Sequence, residues 1–421
     1  MVRHGIVTLP PSTVATVAGM SLVTRWRWGV LGAAALLGGT ALASGRRPTP
    51  AVVVEVEGLR DQDVMRAGQL GLRIPQLRRL LAEGAHARVQ GVAGVKAPGL
   101  VTLLTGVAPE RHGVQRESPL DPLGPGRPWG IGDVRVATLG QAAQRAGLRS
   151  AAVGWPLAGA DVEAEADTDP ARAERCAALL ASEAPPGLVL CRFTSLDEAQ
   201  RASGPGSFAA LAALERTDAL LGQVREAAAR DGRSLIVVSA HGCARTRRAL
   251  DLDEVLRRAG LLQRDPGGRL RGWRALAWGE GGSALVVLRD PGDASGRRLV
   301  RAVLDDLVCQ GLLARFFEHR EAQPGSPAPV FTAFLAPDTR LARLGPGEVS
   351  GVGGGGASGH DPRLPEMAGS LFLLGPGVRP GQQLGPVDLR DVAPTVAGLL
   401  GLRLPDAEGR DLIGRVALAS R

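Results

Sequence analysis

Short apolar runs alternate along the chain with segments of helical period. Ala51–Val56, Ser150–Val153, Gly187–Phe193 and Ser234–Ser239 have the length and apolar content of buried strands. Ile74–Glu83 reads as a helix closed by Gly84. The clearest helical pattern is Ser207–Ala228, with Phe208, Leu211, Leu214, Leu221 and Val224 on one face. Strands alternating with helices predict a sheet covered on both faces, as in α/β proteins.

After residue 262 the pattern changes. Residues 262–345 are rich in Gly, Pro and Arg, with strand-like runs at Ala284–Leu288 and Val330–Leu335 around a helical stretch at Arg297–Leu313. This reads as an inserted cap-like subdomain between two parts of one core, residues 48–261 and 346–421. Gly351–Gly359 is a glycine-rich loop, Ser370–Leu374 returns to the core sheet, and Asp388–Leu400 reads as a closing helix.

Residues 1–47 form a leader. Arg25 and Arg27 precede a small-residue apolar run, Gly29–Ala43, that ends Ala41-Leu-Ala43 before Ser44. A basic start, a run of roughly 15 apolar residues and an A-x-A ending describe a secretory signal peptide. The run is short of the roughly 20 apolar residues of a membrane span. Export to the periplasm or outside the cell is therefore expected, with membrane contact only if the leader stays uncleaved. Met20 is an alternative start.

The chain has 421 residues and a formal net charge of +8. The positive charge is nearly all Arg and is spread singly rather than gathered into runs. Aromatics are 3% of residues and Tyr is absent, so no nucleic-acid surface is expected. Four cysteines, Cys176, Cys191, Cys243 and Cys309, lie far apart without CxxC spacing, and Cys191 falls in an apolar run that suits a buried thiol. Gly351–Gly356 contains a GxGxxG string without the strand–turn–helix context of a dinucleotide fingerprint.

Candidate chemistry sits at the ends of the predicted strands. The first strand runs into Glu57-Gly-Leu-Arg60, and Pro98–Gly113 contains Thr102-Leu-Leu-Thr-Gly106 and Pro109-Glu-Arg-His-Gly113. Trp155-Pro156, Asp197–Pro205, Ser239-Ala-His-Gly242 and His360-Asp-Pro-Arg-Leu-Pro-Glu-Met367 follow in order. This series resembles the type I phosphodiesterase/nucleotide pyrophosphatase family, of the alkaline phosphatase superfamily. The resemblance implies a three-layer α/β sandwich with a mostly parallel sheet. It also implies two zinc ions held by six Asp and His ligands around a Thr or Ser nucleophile.

Carried over residue by residue, that ligand set is broken. One metal position reads Glu57, Ala240 and His241; the other reads Asp197, Arg201 and Ser358. The nucleophile position is Lys96, the sole lysine of the chain. A protonated amine is not a nucleophile. Thr102 and Thr105 fall on the following helix and read as packing and capping residues, and His112 as a structural hydrogen-bonder. Glu57, Asp197 and His241 remain as residual ligands, insufficient for two metals and sufficient for one at most; no cofactor is expected. Should they converge, Lys96 and Arg201 would balance Glu57 and Asp197 in the space of the metals. The sequence thus predicts a pseudoenzyme of the cell envelope that binds a phosphoester- or nucleotide-like ligand or a partner. The alternatives are a hydrolase with one residual metal and a structural envelope protein.

Overall fold

The computed structural model describes residues 48–92, 96–123, 126–319 and 327–416. The leader lies outside them. Among the described residues no helix is long and apolar enough to cross a membrane.

Five parallel strands form the heart of the core sheet: β1 (Ala51–Val56), β3 (Ser150–Val153), β4 (Val162–Ala164), β5 (Leu188–Phe193) and β6 (Ser234–Val238). Strand β2 (Ala85–Gln90) lies beyond an antiparallel strand, Gly369–Leu374, that returns the chain to the sheet beside β6. The spatial order is Gln382–Gln383, β2, Gly369–Leu374, β6, β1, β5, β3, β4. Both faces are buried, which is why the central strands read as continuous apolar runs. Along β1 the side chains alternate between two cores. Ala51 and Val53 join the core containing Leu103 and Leu190, while Val52, Val54 and Val56 join the one containing Leu77 and Leu221.

Sequence and structure part at a few elements. Strand β2 was not foreseen, although Ala85, Ala87 and Val89 alternate in the manner of a strand. The long helix spans Phe208–Arg230, capped by the Ser207 hydroxyl, which accepts from the Ala210 N–H at 3.2 Å. Phe208 is not on its buried face: it is 89% exposed, while Ala210 in the same turn is buried. The helix expected at Arg297–Leu313 runs instead over Ala294–Cys309. Asp293 caps its start, and Gly311, at φ +66°, turns the chain so that Leu313 opens a strand, Leu313–Glu318. The closing segment is a 3₁₀ turn, Leu389–Asp391, leading into a helix, Val392–Leu400.

Between residues 262 and 345 the chain builds a separate antiparallel sheet, ordered Ala275–Glu280, Ser283–Leu288, Ala328–Leu335, Leu313–Glu318. Val300, Leu304 and Leu307 of the Ala294–Cys309 helix pack against it, together with Leu250, Leu252 and Leu256, so this packing unit begins before residue 262. All four cysteines are free thiols, Cys191 among the buried ones.

The turn after β1 sets the site. Gly58 has φ +78°, and a Cβ there would lie 2.9 Å from Gln200 Oε1 and 3.3 Å from the Asp197 Cα. Gly58→Ala is expected to destabilise the protein by more than about 1 kcal/mol, because a left-handed conformation costs an L-residue roughly that much before any clash. Urea denaturation would register this as a lower midpoint; an unchanged midpoint would contradict it.

Candidate functional site

Two adjacent parallel strands end in carboxylates. Glu57 directly follows β1, and Asp197 lies in the first turn of the Ser195–Ser203 helix that follows β5. The strand ends are pinned by hydrogen bonds. The Leu59 N–H donates to Ser239 Oγ at 3.1 Å, and that hydroxyl donates to the His241 carbonyl at 2.9 Å, joining the ends of β1 and β6. Gln200 Nε2 donates to the Gly58 carbonyl at 3.1 Å. The buried Asp169 carboxylate accepts the Thr194 and Ser195 N–H groups at 2.9 Å, fixing the helix that carries Asp197.

Lys96, the first residue of the Lys96–Thr105 helix, reaches between the two acids. Its Nζ lies 2.9 Å from Glu57 Oε1 and 3.3 Å from Asp197 Oδ2. Arg201, one helical turn after Asp197, places Nε 3.9 Å from Asp197 Oδ2, beyond hydrogen-bond reach. His241 turns Nε2 toward Glu57 Oε1 at 3.9 Å while its Nδ1 bonds the Gly242 carbonyl at 2.9 Å. Glu57, Asp197 and Lys96 thus meet, with Arg201 and His241 at the edge.

Ala240 and Ser358 bring no charge to this centre. The Ala240 methyl packs into the apolar core, 3.0 Å from where a Cβ on Gly99 would stand. Ser358 is buried, and its Oγ has no hydrogen-bond partner. His360 Nε2–H donates to the Thr339 carbonyl at 2.8 Å, and the ring packs on Gly282. Thr105 Oγ1 donates to the Val101 carbonyl at 2.7 Å, a helix-internal bond. Thr102 Oγ1 lies 3.1 Å from His112 Nε2, while His112 Nδ1 accepts from the Val114 N–H. Burial lowers the His112 pKa to about 4, which keeps the ring neutral in that role.

Two functional residues went unseen in the sequence, Glu55 and Arg192. Both are side chains of strand residues, paired in register across β1 and β5. Arg192 Nη2 contacts Glu57 Oε2 at 2.5 Å, and its Nε lies 3.3 Å from Glu55 Oε2. A charged residue inside each of two apolar strands was the available signal, since an unpaired charge cannot be buried there.

The charges settle as follows. Burial alone would raise Glu57, but Arg192 and Lys96 outweigh it and hold the carboxyl below its usual range. Burial would likewise lower Lys96; Glu57 and Asp197 overcome it and keep the amine protonated. Asp197 is raised, by burial first and then by the charge of Glu57, against the pull of His241, Lys96 and Arg201. Glu55 is pushed up to about 8 by burial, which Arg192 offsets only in part. At neutral pH Glu55 therefore holds a proton, and Arg192 serves Glu57.

As a metal site, the centre offers Glu57, Asp197 and His241, whose ligand atoms all lie within 4.8 Å of one another. Asp197 Oδ1 and Oδ2 and His241 Nε2 are buried without hydrogen-bond partners. Two oxygens and an imidazole suit one zinc-like ion. They do not suit two, and the Lys96 ammonium stands among them.

The doubly covered parallel sheet, with carboxylates at the ends of its strands, is that of the alkaline phosphatase superfamily. Within it, the chain belongs to the type I phosphodiesterase/nucleotide pyrophosphatase family, whose sequence model matches residues 51–310. Its fold is similar to that of mouse ectonucleotide pyrophosphatase/phosphodiesterase 5 in an inactive form complexed with AMP. The TM-score is 0.68 at 19% identity, over 88% of this chain and 100% of that one. The human protein matches with a TM-score of 0.69 at 18% identity, over 87% and 100% of the two chains. No curated protein matches the chain in sequence.

Lys96→Met is expected to destabilise the protein near neutral pH. Breaking a fully buried ion pair costs roughly 3–5 kcal/mol. Here the lower end applies, because Arg192 still serves Glu57 and Asp197 can take up a proton. The deficit should shrink as pH falls. The depressed Glu57 stabilises only above its unfolded pKa and loses that contribution as pH drops through its folded value, while the raised Asp197 protonates earlier. Thermal unfolding followed from neutral pH down to well below 4.5 tests this; a pH-independent deficit would contradict it.

Glu55 has the opposite sign. Its folded pKa of about 8 exceeds the ordinary value of 4.5, so the folded protein holds the extra proton between them and loses stability as pH rises through that window. Glu55→Gln should flatten this slope, and an unaltered slope would mean that Glu55 is ionised in the folded state.

Proposed function

We propose that the chain is a non-catalytic member of its family, exported to the cell envelope, in which ion pairs replace two zinc ions and the site binds rather than hydrolyses a phosphoester. The observation that carries this reading is the Lys96 ammonium, 2.9 Å from Glu57 and 3.3 Å from Asp197. A phosphodiester needs an activated oxygen nucleophile and charge at the leaving oxygen. Lys96 supplies no nucleophile, because its neighbours keep it protonated and its nitrogen has no free lone pair, and its charge is engaged by Glu57 and Asp197. Ala240 and Ser358 leave the ligand set incomplete by chemistry as well as by number. The leader pattern, and the AMP held by the mouse relative, make an exported nucleotide- or phosphoester-binding protein the reading of choice.

A second reading rests on the three convergent donors. One ion held by Glu57, Asp197 and His241, with Lys96 swung aside, would leave a one-metal hydrolase. Such an ion would act as a Lewis acid at a phosphoryl oxygen. The chain's own residues would still have to supply a nucleophile, and the hydroxyl of Thr102 is engaged by His112 and that of Thr105 within its own helix.

Elemental analysis of the purified chain is expected to find no stoichiometric zinc, and an aryl phosphodiester should not be hydrolysed above background. Lys96→Thr should stay inactive, because its hydroxyl would lack the metal that lowers an alcohol's pKa. Close to one metal per chain, with activity in either protein, would establish the second reading; close to two would overturn both.

A further inference from the structure

A cleft of about 160 Å³ opens at Arg201, lined also by Arg340, Ser358 and Glu280. At about 30 Å³ per water, this is room for several waters or one tetrahedral oxyanion. Two polar groups of its lining are buried without hydrogen-bond partners, and a third is a half-exposed arginine. Arg340, on the Thr339–Leu341 strand, has a buried Nε without a hydrogen-bond partner, and no described carboxylate lies within 4.0 Å of its guanidinium. Ser358 is 1% exposed, and its Oγ is likewise unpartnered. Arg201 is half-exposed and stands 3.9 Å from Asp197, too far for a hydrogen bond. Buried donors left unmade are costly, and guanidinium groups are matched by oxyanions in two-point contacts.

We infer that this cleft binds the terminal phosphate of a hydroxyl-bearing phosphomonoester through Arg201, Arg340 and Ser358. This rests on the phosphoester-binding reading above and moves the receptor away from Lys96. An anion at Lys96 would have to displace two carboxylates already paired with it, whereas the two arginines give up nothing within hydrogen-bond reach. Glu280 lines the same cleft and has no ion-pair partner within 4.0 Å among the described residues. It repels a bare dianion. It can accept a hydrogen bond from a hydroxyl of the ester or from a protonated phosphate oxygen, so an alcohol-bearing monoester fits better than a naked anion.

Isothermal titration of the full chain in sulfate-free buffer with AMP, inorganic phosphate and adenosine tests the inference. AMP is expected to bind more tightly than phosphate, and adenosine not to bind. Arg340→Gln and, separately, Arg201→Gln should each weaken AMP at least tenfold; the second variant, at a half-exposed position, keeps the test valid if the first fails to fold. Binding that survives both changes but is lost in Lys96→Met overturns the cleft and leaves the phosphoester reading standing. Adenosine binding as well as AMP overturns recognition through phosphate. A wild-type chain that takes up neither AMP nor phosphate overturns the cleft and the ligand-binding reading together.

Discussion

Two carboxylates buried at neighbouring strand ends cannot remain charged without a cation between them. Glu57 and Asp197 are 1% and 0% exposed, and each faces the other's charge. Divalent ions are one solution; the tethered ammonium of Lys96 is another, with Arg192 behind it and Arg201 in front. The surrounding geometry follows from that choice. Lys96 opens a helix, where the N-terminal end of the dipole disfavours a cation. It is stable there because two acids lie within 3.3 Å and because Glu117 accepts the Ala97 N–H at 3.0 Å, satisfying part of the same helix end. A tethered ammonium supplies positive charge to both acids without a metal's open coordination positions, and so supports the fold at this point.

The proton on Glu55 belongs to the same balance. Three buried carboxyls, Glu55, Glu57 and Asp197, face Lys96 and Arg192 in the interior, with Arg201 half outside. Full ionisation would leave the interior short of positive charge. The deepest acid, locked inside β1, yields first and takes a proton; the two at the strand ends keep the cations. Register enforces this order, because Arg192 stands opposite Glu55 in β5 yet makes its shorter contact one pleat on, with Glu57.

What could be read from the sequence divides along the range of the interactions. Strand β1 was legible to the residue, because a strand covered on both faces leaves a continuous apolar run. The meeting of Glu57, Lys96 and Asp197 was legible only through ordered motifs, since residues 57, 96 and 197 share no local pattern. The Arg192–Glu55 pairing was not, because it depends on a parallel register between segments more than a hundred residues apart. Helix ends failed where local chemistry competed with periodicity. Leu312 and Leu313 continue the apolar spacing of the preceding helix, but Gly311 ends it, and Phe208 fits the helical stripe yet stands exposed.

The residues around this centre differ in what their surroundings would accept. Ala240 is absorbed by the core, its methyl against the helix at Gly99, so a carboxylate at that position would enter a packed apolar region. Arg201 instead keeps company with Asp197, and Ser358 contributes a buried, unpartnered hydroxyl to the lining of a cleft. Glu57 is held ionised between two cations, and the lone lysine of the chain is placed at the meeting point of both acids. A carboxylate placed at position 240 would meet that apolar packing, and an ion brought to Glu57 and Asp197 would first have to displace the Lys96 ammonium, because the same two acids already hold it.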